Sequence, residues 1–478
     1  MKRMKKKRMQ HKTKYIRWLL LIFIIAPVLY WAFLQAQLLL TRAAGVKANI
    51  IVDTSFTQGI IKPSWFSFSQ GGEESKDMIA PVIDQSKLLT PRYIRLDHLY
   101  DHFSVVNRGG DGQLAFNFAG LDGAVKSILA TGALPFFSLS YMPPAISSGD
   151  ILAIPRDWNE WALVVQRTIE HYSGKSGMNL SNVYYEVWNE PDLFGGWKYS
   201  GPKNYLTLYT YSALGAQRAQ GVNRFLIGGP ATTQLYKNWI VALANHVTAN
   251  NLRIDFFSWH RYTTDPNAYF KDISDVTGWL FYYPTLISLP RIISEWGFDS
   301  DINSGYDGNF AAAHTVATVR QIINGYEQLF AFEVVDGPGP DGKKYWGRWG
   351  LLTHPSAGVS QKPRFSAFQL LQKMSGQRLL VSGEGTWVSG FASKDGNRIA
   401  LILANYDRYG RNTEQVPVSF SHLSEGNYLF TTTRLGQKPV AQTITTSNNS
   451  FITNTVMQAS GVVLLELEPV VASSSAAF

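Results

Sequence analysis

The 478-residue sequence predicts an α/β protein: a (β/α)8 TIM barrel, followed by a small all-β domain and preceded by a transmembrane helix. Two observations predict the barrel. Short apolar runs alternate with helical stretches, and the alternation continues over about 315 residues, a usual length for this fold. A third observation separates the C-terminal part, because the hydrophobic period changes from 3.6 to 2 after Gly376, which is typical of strands.

Eight apolar or aromatic runs are interpreted as the barrel strands. They are 65–69, 93–96, 134–139, 183–188, 225–227, 256–259, 291–293 and 330–335. The clearest helix follows the third run, with Asp157 as its predicted N-cap, Glu160 three residues later, and apolar positions at helical spacing from Trp161 to Tyr172. The rival fold is a doubly wound open sheet. That fold favours a Gly-rich phosphate-binding turn after an early strand, and the sequence has none.

Residues 376–470 are predicted to form a β-sandwich that packs on the barrel domain at 46–375. Asp395-Gly396 predicts a hairpin turn between its first two strands, and segment 48–53 can add a further strand. The tail at 471–478 is small and polar and is predicted to be disordered. The period-two runs are 387–392, 398–405, 415–420, 428–434 and 462–467.

Residues 1–45 are predicted to be a basic cytoplasmic segment and a transmembrane signal-anchor. Residues 1–17 contain nine Lys or Arg and no acidic residue, and the next 17 residues carry no charge. Continued to Leu40, this run would span about 35 Å as a helix, enough to cross a bilayer. The positive-inside rule then places the N-terminus in the cytoplasm and the rest of the chain in the periplasm or outside the cell. The alternative is a cleaved signal peptide, which also exports the chain.

Charge and cysteine content exclude several function classes. Removing the nine N-terminal basic residues from the total of 44 leaves 35, equal to the 35 acidic residues, so no nucleic-acid partner is predicted. The chain has no cysteine, which excludes disulfides, thiolate zinc sites, iron–sulfur clusters and a cysteine nucleophile. The Gly-Pro-rich run at 337–342 lacks the Lys-Ser or Lys-Thr of a phosphate-binding loop, and no cofactor is predicted.

Two glutamates at the ends of predicted strands form the candidate catalytic pair. Glu190 follows the fourth strand and Glu295 ends the seventh. They are 105 residues apart, which corresponds to three β/α units, so both are expected at the C-terminal mouth of the barrel. Glycoside hydrolysis needs such a pair, with one carboxyl group protonated to release the leaving oxygen and the other ionised to attack the anomeric carbon.

Over most of residues 60–375 the sequence resembles glycoside hydrolase family 39, within the retaining (β/α)8 glycosidases. The resemblance implies that Glu190 is the acid/base, that Glu295 is the nucleophile, and that hydrolysis retains the anomeric configuration. The motifs that carry it are Leu-Pro-Phe-Phe at 134–137, Glu-Val-Trp-Asn-Glu-Pro-Asp at 186–192, Gly-Gly-Pro-Ala at 228–231, Ser-Trp-His-Arg-Tyr at 258–262, Ser-Glu-Trp-Gly at 294–297 and Trp-Gly-Leu-Leu at 349–352.

The same resemblance implies roles for neighbouring residues. Asn189 would bind the sugar 2-hydroxyl, and Arg95 would lie near the nucleophile. Tyr262 would be a partner of the nucleophile, with His260 next to the sugar or the acid/base. His260 and Tyr262 are two apart on a strand and therefore share a face. Glu186 lies inside its strand and is expected to be buried in a polar network.

The sequence departs from the family pattern after the second strand. Where β-xylosidases of the family carry a histidine, this chain has Asp97, followed by His98, and both are predicted to bind substrate. The difference argues against a xylose-type first subsite. Asp101 and His102 follow closely, but these residues lie in a predicted loop where a spacing of four does not favour a metal, so no metal site is predicted.

Tryptophans near strand ends can stack on sugar faces. About half of them are expected to be barrel packing instead. The candidates chosen as substrate-binding are Trp188, Trp296 and Trp346, and the others are Trp197, Trp259 and Trp349.

These inferences predict an endo-acting retaining hydrolase of an extracellular or envelope polysaccharide. An anchored, exported member of the family most resembles hydrolases encoded with exopolysaccharide assembly systems. The predicted partners are therefore a polysaccharide or oligosaccharide, the membrane, and an exopolysaccharide synthesis or export complex. The alternatives are an exo-acting β-glycosidase of the β-xylosidase type, a transglycosylase, or a non-catalytic carbohydrate-binding assembly subunit.

Overall fold

The computed structural model describes residues 45–470. The predicted signal-anchor and the predicted disordered tail at 471–478 lie outside the described residues. Among the residues that are described, no helix combines the length and the apolar character needed to span a bilayer. The described chain forms a (β/α)8 barrel and a β-rich domain, so the predicted α/β fold class is confirmed for this part of the protein.

Eight parallel strands in residues 45–470 close into a barrel and follow one another around it in chain order. They coincide with the eight predicted runs, although several ends have moved by a few residues. The strands are Ser67–Gln70, Tyr93–Leu96, Leu134–Leu139, Val183–Val187, Phe225–Thr232, Phe256–Tyr262, Arg291–Gly297 and Gln328–Phe332.

An α-helix follows each barrel strand in the chain, and a hairpin of Val106–Arg108 and Leu114–Phe116 precedes the second helix. The predicted N-cap is confirmed, because the Asp157 side chain accepts a hydrogen bond from the backbone N–H of Asn159. The helices are Ile83–Lys87, Ala119–Ala130, Trp158–Tyr172, Tyr205–Arg218, Lys237–Ala249, Asn267–Leu280, Asn309–Ile322 and Pro363–Leu371.

Side chains with a period of two fill the barrel interior in layers. The lower layer is apolar and polar groups lie above it, so the floor of the barrel is dry and its mouth is polar. The apolar layer takes one residue from each of seven strands: Tyr93, Phe136, Tyr184, Leu226, Phe256, Ile292 and Phe330. Two residues further along their strands come the buried polar residues Arg95, Ser138, Glu186, Ser258 and Ser294.

The seventh barrel strand breaks the strict alternation where it carries Glu295. Its register against the sixth strand shifts by one residue between Ile293 and Glu295. Such irregularities re-aim side chains and are frequent beside active sites. Glu295 consequently faces the cavity, whereas Trp296 packs outward against Tyr269 and Phe368 of the surrounding helices.

The β-rich domain, predicted as a β-sandwich, is one continuous nine-stranded sheet in the described residues. The sheet curves, so that Phe430 near one edge packs on Phe451 of the opposite edge strand, with ring centroids 5.0 Å apart. The strands are Ile50–Ile60, Gln377–Ser382, Val388–Asp395, Arg398–Asn405, Glu414–Ser421, Gly426–Arg434, Val440–Thr446, Ser450–Met457 and Val462–Pro469.

The first strand of the described chain belongs to this sheet. Ile50–Ile60 pairs antiparallel with Gln377–Ser382 and parallel with Glu414–Ser421. This confirms the strand predicted at 48–53 and corrects the predicted start of the barrel domain at residue 46, because the barrel begins at Ser67. The barrel is therefore inserted, in chain order, between two segments of the β-rich domain.

The sheet and the barrel bury their surfaces against each other. Strand Arg398–Asn405 has both faces buried, which explains its nearly continuous apolar sequence. The Tyr406 hydroxyl, just after this strand, donates a hydrogen bond of 2.8 Å to the backbone carbonyl of Thr264 in the barrel. Ile399, Leu401 and Leu403 pack within the sheet's own core, and Ala400, Ile402 and Ala404 pack into the barrel core.

Candidate active site

A cavity of about 360 Å³ lies at the C-terminal ends of the barrel strands. Both predicted catalytic glutamates line it, as expected from their positions after the fourth strand and in the seventh. The structure brings together six predicted site residues in its wall, which are Asp97, His98, Asn189, Glu190, Tyr262 and Glu295.

Two donors hold the carboxylate of Glu295. Arg95 Nη1 lies 2.9 Å from its Oε1, and the Tyr262 hydroxyl donates a 2.9 Å hydrogen bond to its Oε2. Burial raises the pKa of Glu295 to about 7, although the nearby charges of His260 and Arg95 act to lower it. Both oxygens of the carboxylate are thus held in place by hydrogen bonds. Its pKa results from two opposing effects, because burial raises it and the neighbouring cations lower it.

Arg95 connects this carboxylate to the acid/base segment. Its side chain is fully buried, with Nε 2.8 Å from Glu186 Oε2 and Nη2 2.8 Å from Asn189 Oδ1. Burial opposes its charge, but the carboxylates of Glu186 and Glu295 outweigh this effect and raise the pKa of Arg95. Glu186 therefore lies in a buried polar network, as its position inside the strand indicated.

Glu190 is placed by a constrained loop after the fourth barrel strand. Its backbone φ is +44°, in the left-handed region, and its N–H donates a 3.0 Å hydrogen bond to the carbonyl of Ala231 near the end of the fifth strand. His260 Nδ1 lies 2.8 Å from Glu190 Oε1 and 3.5 Å from Glu295 Oε2. Burial opposes protonation of His260, but Glu295 and Glu190 raise its pKa overall.

The two glutamates are close together. A carboxylate oxygen of Glu190, one of Glu295 and Nδ1 of His260 all lie within 4.8 Å of one another. Two carboxyl groups at this spacing can protonate a leaving group and attack the same carbon, and they leave little space for a water molecule between them.

A second group of ligand-type side chains lies beside the cavity. His98 Nδ1 is 2.6 Å from Asp101 Oδ2, and the His98 ring stacks on His102 with centroids 4.1 Å apart and planes at 19°. One nitrogen or carboxylate oxygen from each of His98, Asp101 and His102 lies within 4.8 Å of the others. Burial opposes protonation of His98, but Asp97 and Asp101 raise its pKa overall.

The predicted stacking tryptophans do not reach the cavity. Trp188 and Trp296 are fully buried, which contradicts their predicted contact with a sugar. Trp188 turns away with φ +71° as its strand ends, and Trp296 faces the helices because of the register shift. Trp346 lies behind Arg348, whose Cζ is 5.2 Å from its ring centroid, and only Trp349 of the tryptophan set lines the cavity wall described above.

One wall of the cavity is formed mostly by residues that the sequence pattern did not indicate. Glu73 and Arg348 form an ion pair there, and Cζ of Arg348 lies 3.5 Å from the ring centroid of Trp349. Tyr141 and Phe194 also line the cavity. Trp349 belongs to the motif at 349–352, but Glu73 carries no sequence signal, because only the fold brings it to Arg348.

Buried charges fix the loop that carries this wall. Lys362 is buried, with Nζ 2.6 Å from Asp336 Oδ2 and 2.8 Å from Asp307 Oδ1. It also donates a 2.8 Å hydrogen bond to the carbonyl of Arg348, and Asp336 accepts one of 2.7 Å from the N–H of Gly350. The buried charges of Lys362 and Asp336 therefore fix the position of segment 348–350, although these two side chains do not contact the cavity.

Replacing Lys362 with methionine is expected to lower the free energy of unfolding by about 3–5 kcal/mol, because two carboxylates lose their buried partner. Burial raises the pKa of Asp336 to about 6 even though Lys362 lowers it. Asp336 therefore protonates as pH falls, and a protonated carboxyl group needs no cation. We expect the loss to be larger at pH 8 than at pH 5, as measured by chemical denaturation.

The matched control for this variant is Lys343→Met, which removes an exposed lysine from the same loop. Its unfolding free energy should change by less than about 0.5 kcal/mol. Equal losses for Lys362→Met at both pH values would contradict the role given to Asp336.

Comparisons with known proteins agree with this geometry. The model of glycosyl hydrolases family 39 matches residues 72–276, a range that contains Arg95, Glu190 and His260. The chain is 29% identical over 349 residues to a beta-xylosidase of Caldicellulosiruptor saccharolyticus, covering 66% of this chain and 69% of that protein. It is 27% identical over 354 residues to a beta-xylosidase of Geobacillus stearothermophilus, covering 65% and 68%.

The fold is also found among solved structures. A monomeric beta-xylosidase from Caulobacter crescentus superposes with a TM-score of 0.75 at 22% identity, covering 89% of this chain and 100% of that chain. This likeness includes the β-rich domain as well as the barrel, since the barrel alone is a smaller share of the chain. With the carboxyl pair and its partners in place, the chain is similar to glycosyl hydrolases family 39 over residues 72–276 and is a glycosidase that hydrolyses O-glycosyl compounds.

Proposed function

We propose that the protein is a retaining, exo-acting β-glycosidase that removes single sugar residues from the end of a carbohydrate chain. The proposal rests on the carboxyl pair of Glu190 and Glu295, in which an oxygen of one lies within 4.8 Å of an oxygen of the other. Retaining enzymes hold their carboxyl groups about 5–5.5 Å apart, whereas inverting enzymes need about 6.5–9.5 Å to admit water.

In the first step, ionised Glu295 attacks the anomeric carbon while Glu190 transfers its proton to the glycosidic oxygen, so that the bond to the leaving group breaks. The product is a covalent glycosyl ester on Glu295. In the second step, Glu190 is a carboxylate and takes a proton from water, which attacks the same carbon and releases Glu295. The His260 ring, with Nδ1 2.8 Å from Glu190 Oε1, orients this carboxyl group in both steps.

Two observations favour exo over endo action. The relatives described above are beta-xylosidases, and the cavity of about 360 Å³ is at the small end of ligand pockets, which suits a terminal sugar better than a long chain. Endo-hydrolysis of an extracellular polysaccharide is the second candidate. It is favoured by the predicted export and membrane anchoring of the chain, which would place the enzyme beside secreted polymers.

The test uses the purified full-length protein with 4-nitrophenyl β-glycosides of xylose, glucose, galactose and mannose, and with linear oligosaccharides of the sugar that reacts. Exo action predicts that monosaccharide is released from the first time point and that each remaining chain is shorter by one unit. Early products of intermediate length would support endo action. No cleavage of any aryl glycoside, combined with cleavage of purified envelope or extracellular polysaccharide, would overturn the exo proposal.

We also propose that the barrel is exported and held at the membrane by residues 1–45. The support is the sequence of nine basic residues followed by an uncharged run long enough to span a bilayer. Protease added to intact bacterial spheroplasts is expected to digest the chain beyond residue 45. Full protection in sealed spheroplasts, with digestion after lysis, would place the enzyme on the cytoplasmic side and refute the proposal.

A further inference from the structure

Two buried serines inside the barrel donate hydrogen bonds to the main chain beside the two catalytic glutamates. Ser69 lies in the first strand, and its hydroxyl donates a 2.7 Å hydrogen bond to the carbonyl of Ser294. Ser138 lies in the third strand, and its hydroxyl donates a 2.9 Å hydrogen bond to the carbonyl of Trp188. Both serines are fully buried and neither lines the catalytic cavity, so neither is placed to contact a substrate.

The hydrogen bond from Ser69 holds the irregular part of the seventh strand. Relative to both neighbouring strands, the seventh strand has one extra residue between Ile293 and Trp296. Ser294 lies in this stretch, and its carbonyl accepts from Ser69 across the eighth strand, which lies between the first and the seventh. Since the extra residue at such a shift is left out of the regular pairing, the Ser69 hydroxyl fixes a carbonyl that regular pairing does not place. The next residue is Glu295, whose direction depends on this shift.

The hydrogen bond from Ser138 holds the strained turn that carries Glu190. Trp188 and Glu190 have φ values of +71° and +44°, a backbone conformation that costs free energy and persists only when the surrounding structure maintains it. The pairing of the third and fourth strands ends at Val187, one residue before this turn. The Ser138 hydroxyl therefore extends the contact between the two strands beyond the end of their ladder. The Ser138 oxygen has a second partner, because the Ser140 hydroxyl oxygen lies 3.1 Å from it.

We infer that Ser69 and Ser138 are positioning residues, with Ser69 acting through the nucleophile Glu295 and Ser138 acting through the acid/base Glu190. The inference rests on the proposed function and adds to it the side chains that place its two carboxyl groups. A displacement of about 1 Å in a reacting group can lower a rate by about 10²-fold. Loss of either hydrogen bond is therefore expected to slow the chemistry rather than weaken substrate binding. Because the two serines act through different carboxyl groups, their removal should impair different steps.

Two assays on the full-length protein separate these roles in Ser69→Ala and Ser138→Ala. The rate constant for covalent labelling by a 2,4-dinitrophenyl 2-deoxy-2-fluoro glycoside measures attack by Glu295, because this leaving group needs no proton. The kcat/KM for an oligosaccharide also requires proton transfer from Glu190. Ser69→Ala should slow labelling by about 30–100-fold, while the label concentration that gives half the maximal rate stays as in wild type. Ser138→Ala should leave labelling within about threefold of wild type. It should lower kcat/KM for the oligosaccharide by about 10–100-fold.

The matched control is Ser258→Ala in the sixth strand, because the Ser258 hydroxyl is equally buried but has no hydrogen-bond partner among residues 45–470. Both of its rates should stay within about twofold of wild type. Ser69→Cys and Ser138→Cys keep the shape of the side chain with a weaker donor, so their losses should be smaller than those of the alanine variants. Thermal unfolding verifies that each variant is folded, and the cysteine variants carry the test if an alanine variant unfolds.

Three results would overturn the inference and leave the proposed function intact. They are wild-type rates in either alanine variant, labelling that Ser138→Ala slows as much as it lowers kcat/KM for the oligosaccharide, and a Ser69→Ala effect confined to the half-saturating concentration of the label. A wild-type protein that is not labelled and cleaves none of the aryl glycosides overturns the proposed function, and this inference with it.

Discussion

Glu295→Gln is expected to lower kcat by about 10⁴-fold or more without unfolding the protein, because it removes the group that forms the covalent intermediate. The amide has the same shape, and Arg95 keeps its partners Glu186 and Asn189. Burial already raises the pKa of Glu295 to about 7, so loss of its charge should not lower the melting temperature. Steady-state kinetics with an aryl glycoside and thermal unfolding measure the two effects.

The matched control is Glu327→Gln, the same chemical change at an exposed position next to the start of the eighth barrel strand, at the opposite end of the barrel. Its kcat should equal that of the wild type. Incubation with a 2-deoxy-2-fluoro glycoside should label a peptide containing Glu295 in the wild type and in the control variant. A label on another residue would refute the assignment of the nucleophile.

The pKa of Glu295 also predicts how kcat/KM depends on pH on the acid side of the profile. Glu295 attacks only when ionised, and it becomes protonated as pH falls below its pKa of about 7. We therefore expect kcat/KM to fall by about tenfold per pH unit on the acid side of this value.

Glu190→Ala is expected to reduce kcat/KM by about 10²–10⁴-fold for oligosaccharides, whose leaving group must be protonated. For a 2,4-dinitrophenyl glycoside the loss of kcat/KM should be within about tenfold, because that leaving group needs no proton. The second step then becomes slow for every substrate, since no base activates water. Azide needs no base and can occupy the space left by the side chain, so it should restore turnover.

The anomeric configuration of the azide product shows whether the reaction proceeds by double displacement. Attack on the glycosyl ester from the face of the departed group gives the β-glycosyl azide, which NMR identifies directly. An α-azide, or an inverted anomer as the first product of the wild type, would contradict the double displacement. An equal loss of kcat/KM in Glu190→Ala for good and poor leaving groups would show that Glu190 is not the acid.

Periodicity was sufficient to predict that the catalytic pair lies at one mouth of the barrel, although not to predict the direction of the Glu295 side chain. Alternating strands and helices predict a barrel, and the C-terminal ends of its parallel strands meet at one mouth, so Glu190 and Glu295 had to converge there. Arg95, His260 and Tyr262 also lie on or at the ends of barrel strands, and the structure places them beside these carboxylates. These positions could be predicted because, in a regular strand, the direction of each side chain follows from its position in the strand.

The parts that periodicity did not predict depend on irregular backbone and distant pairing. A strict period of two from Ile292 directs Glu295 outward, and only the register shift turns it to the cavity and Trp296 away. The strand Val440–Thr446 is almost entirely exposed, so it shows no apolar alternation and was missed. Nothing in the local sequence of Glu73 indicates its ion pair with Arg348, which is 275 residues away.

The insertion of the barrel between two segments of one sheet constrains the order in which the newly made chain can fold. The strand Ile50–Ile60 is synthesised first, but its partners Gln377–Ser382 and Glu414–Ser421 emerge only after the whole barrel. At about 5–20 residues per second, this strand waits for tens of seconds with unpaired backbone groups on both edges. Unpaired strand edges promote aggregation, so this interval is when a chaperone that covers the strand would benefit the chain most.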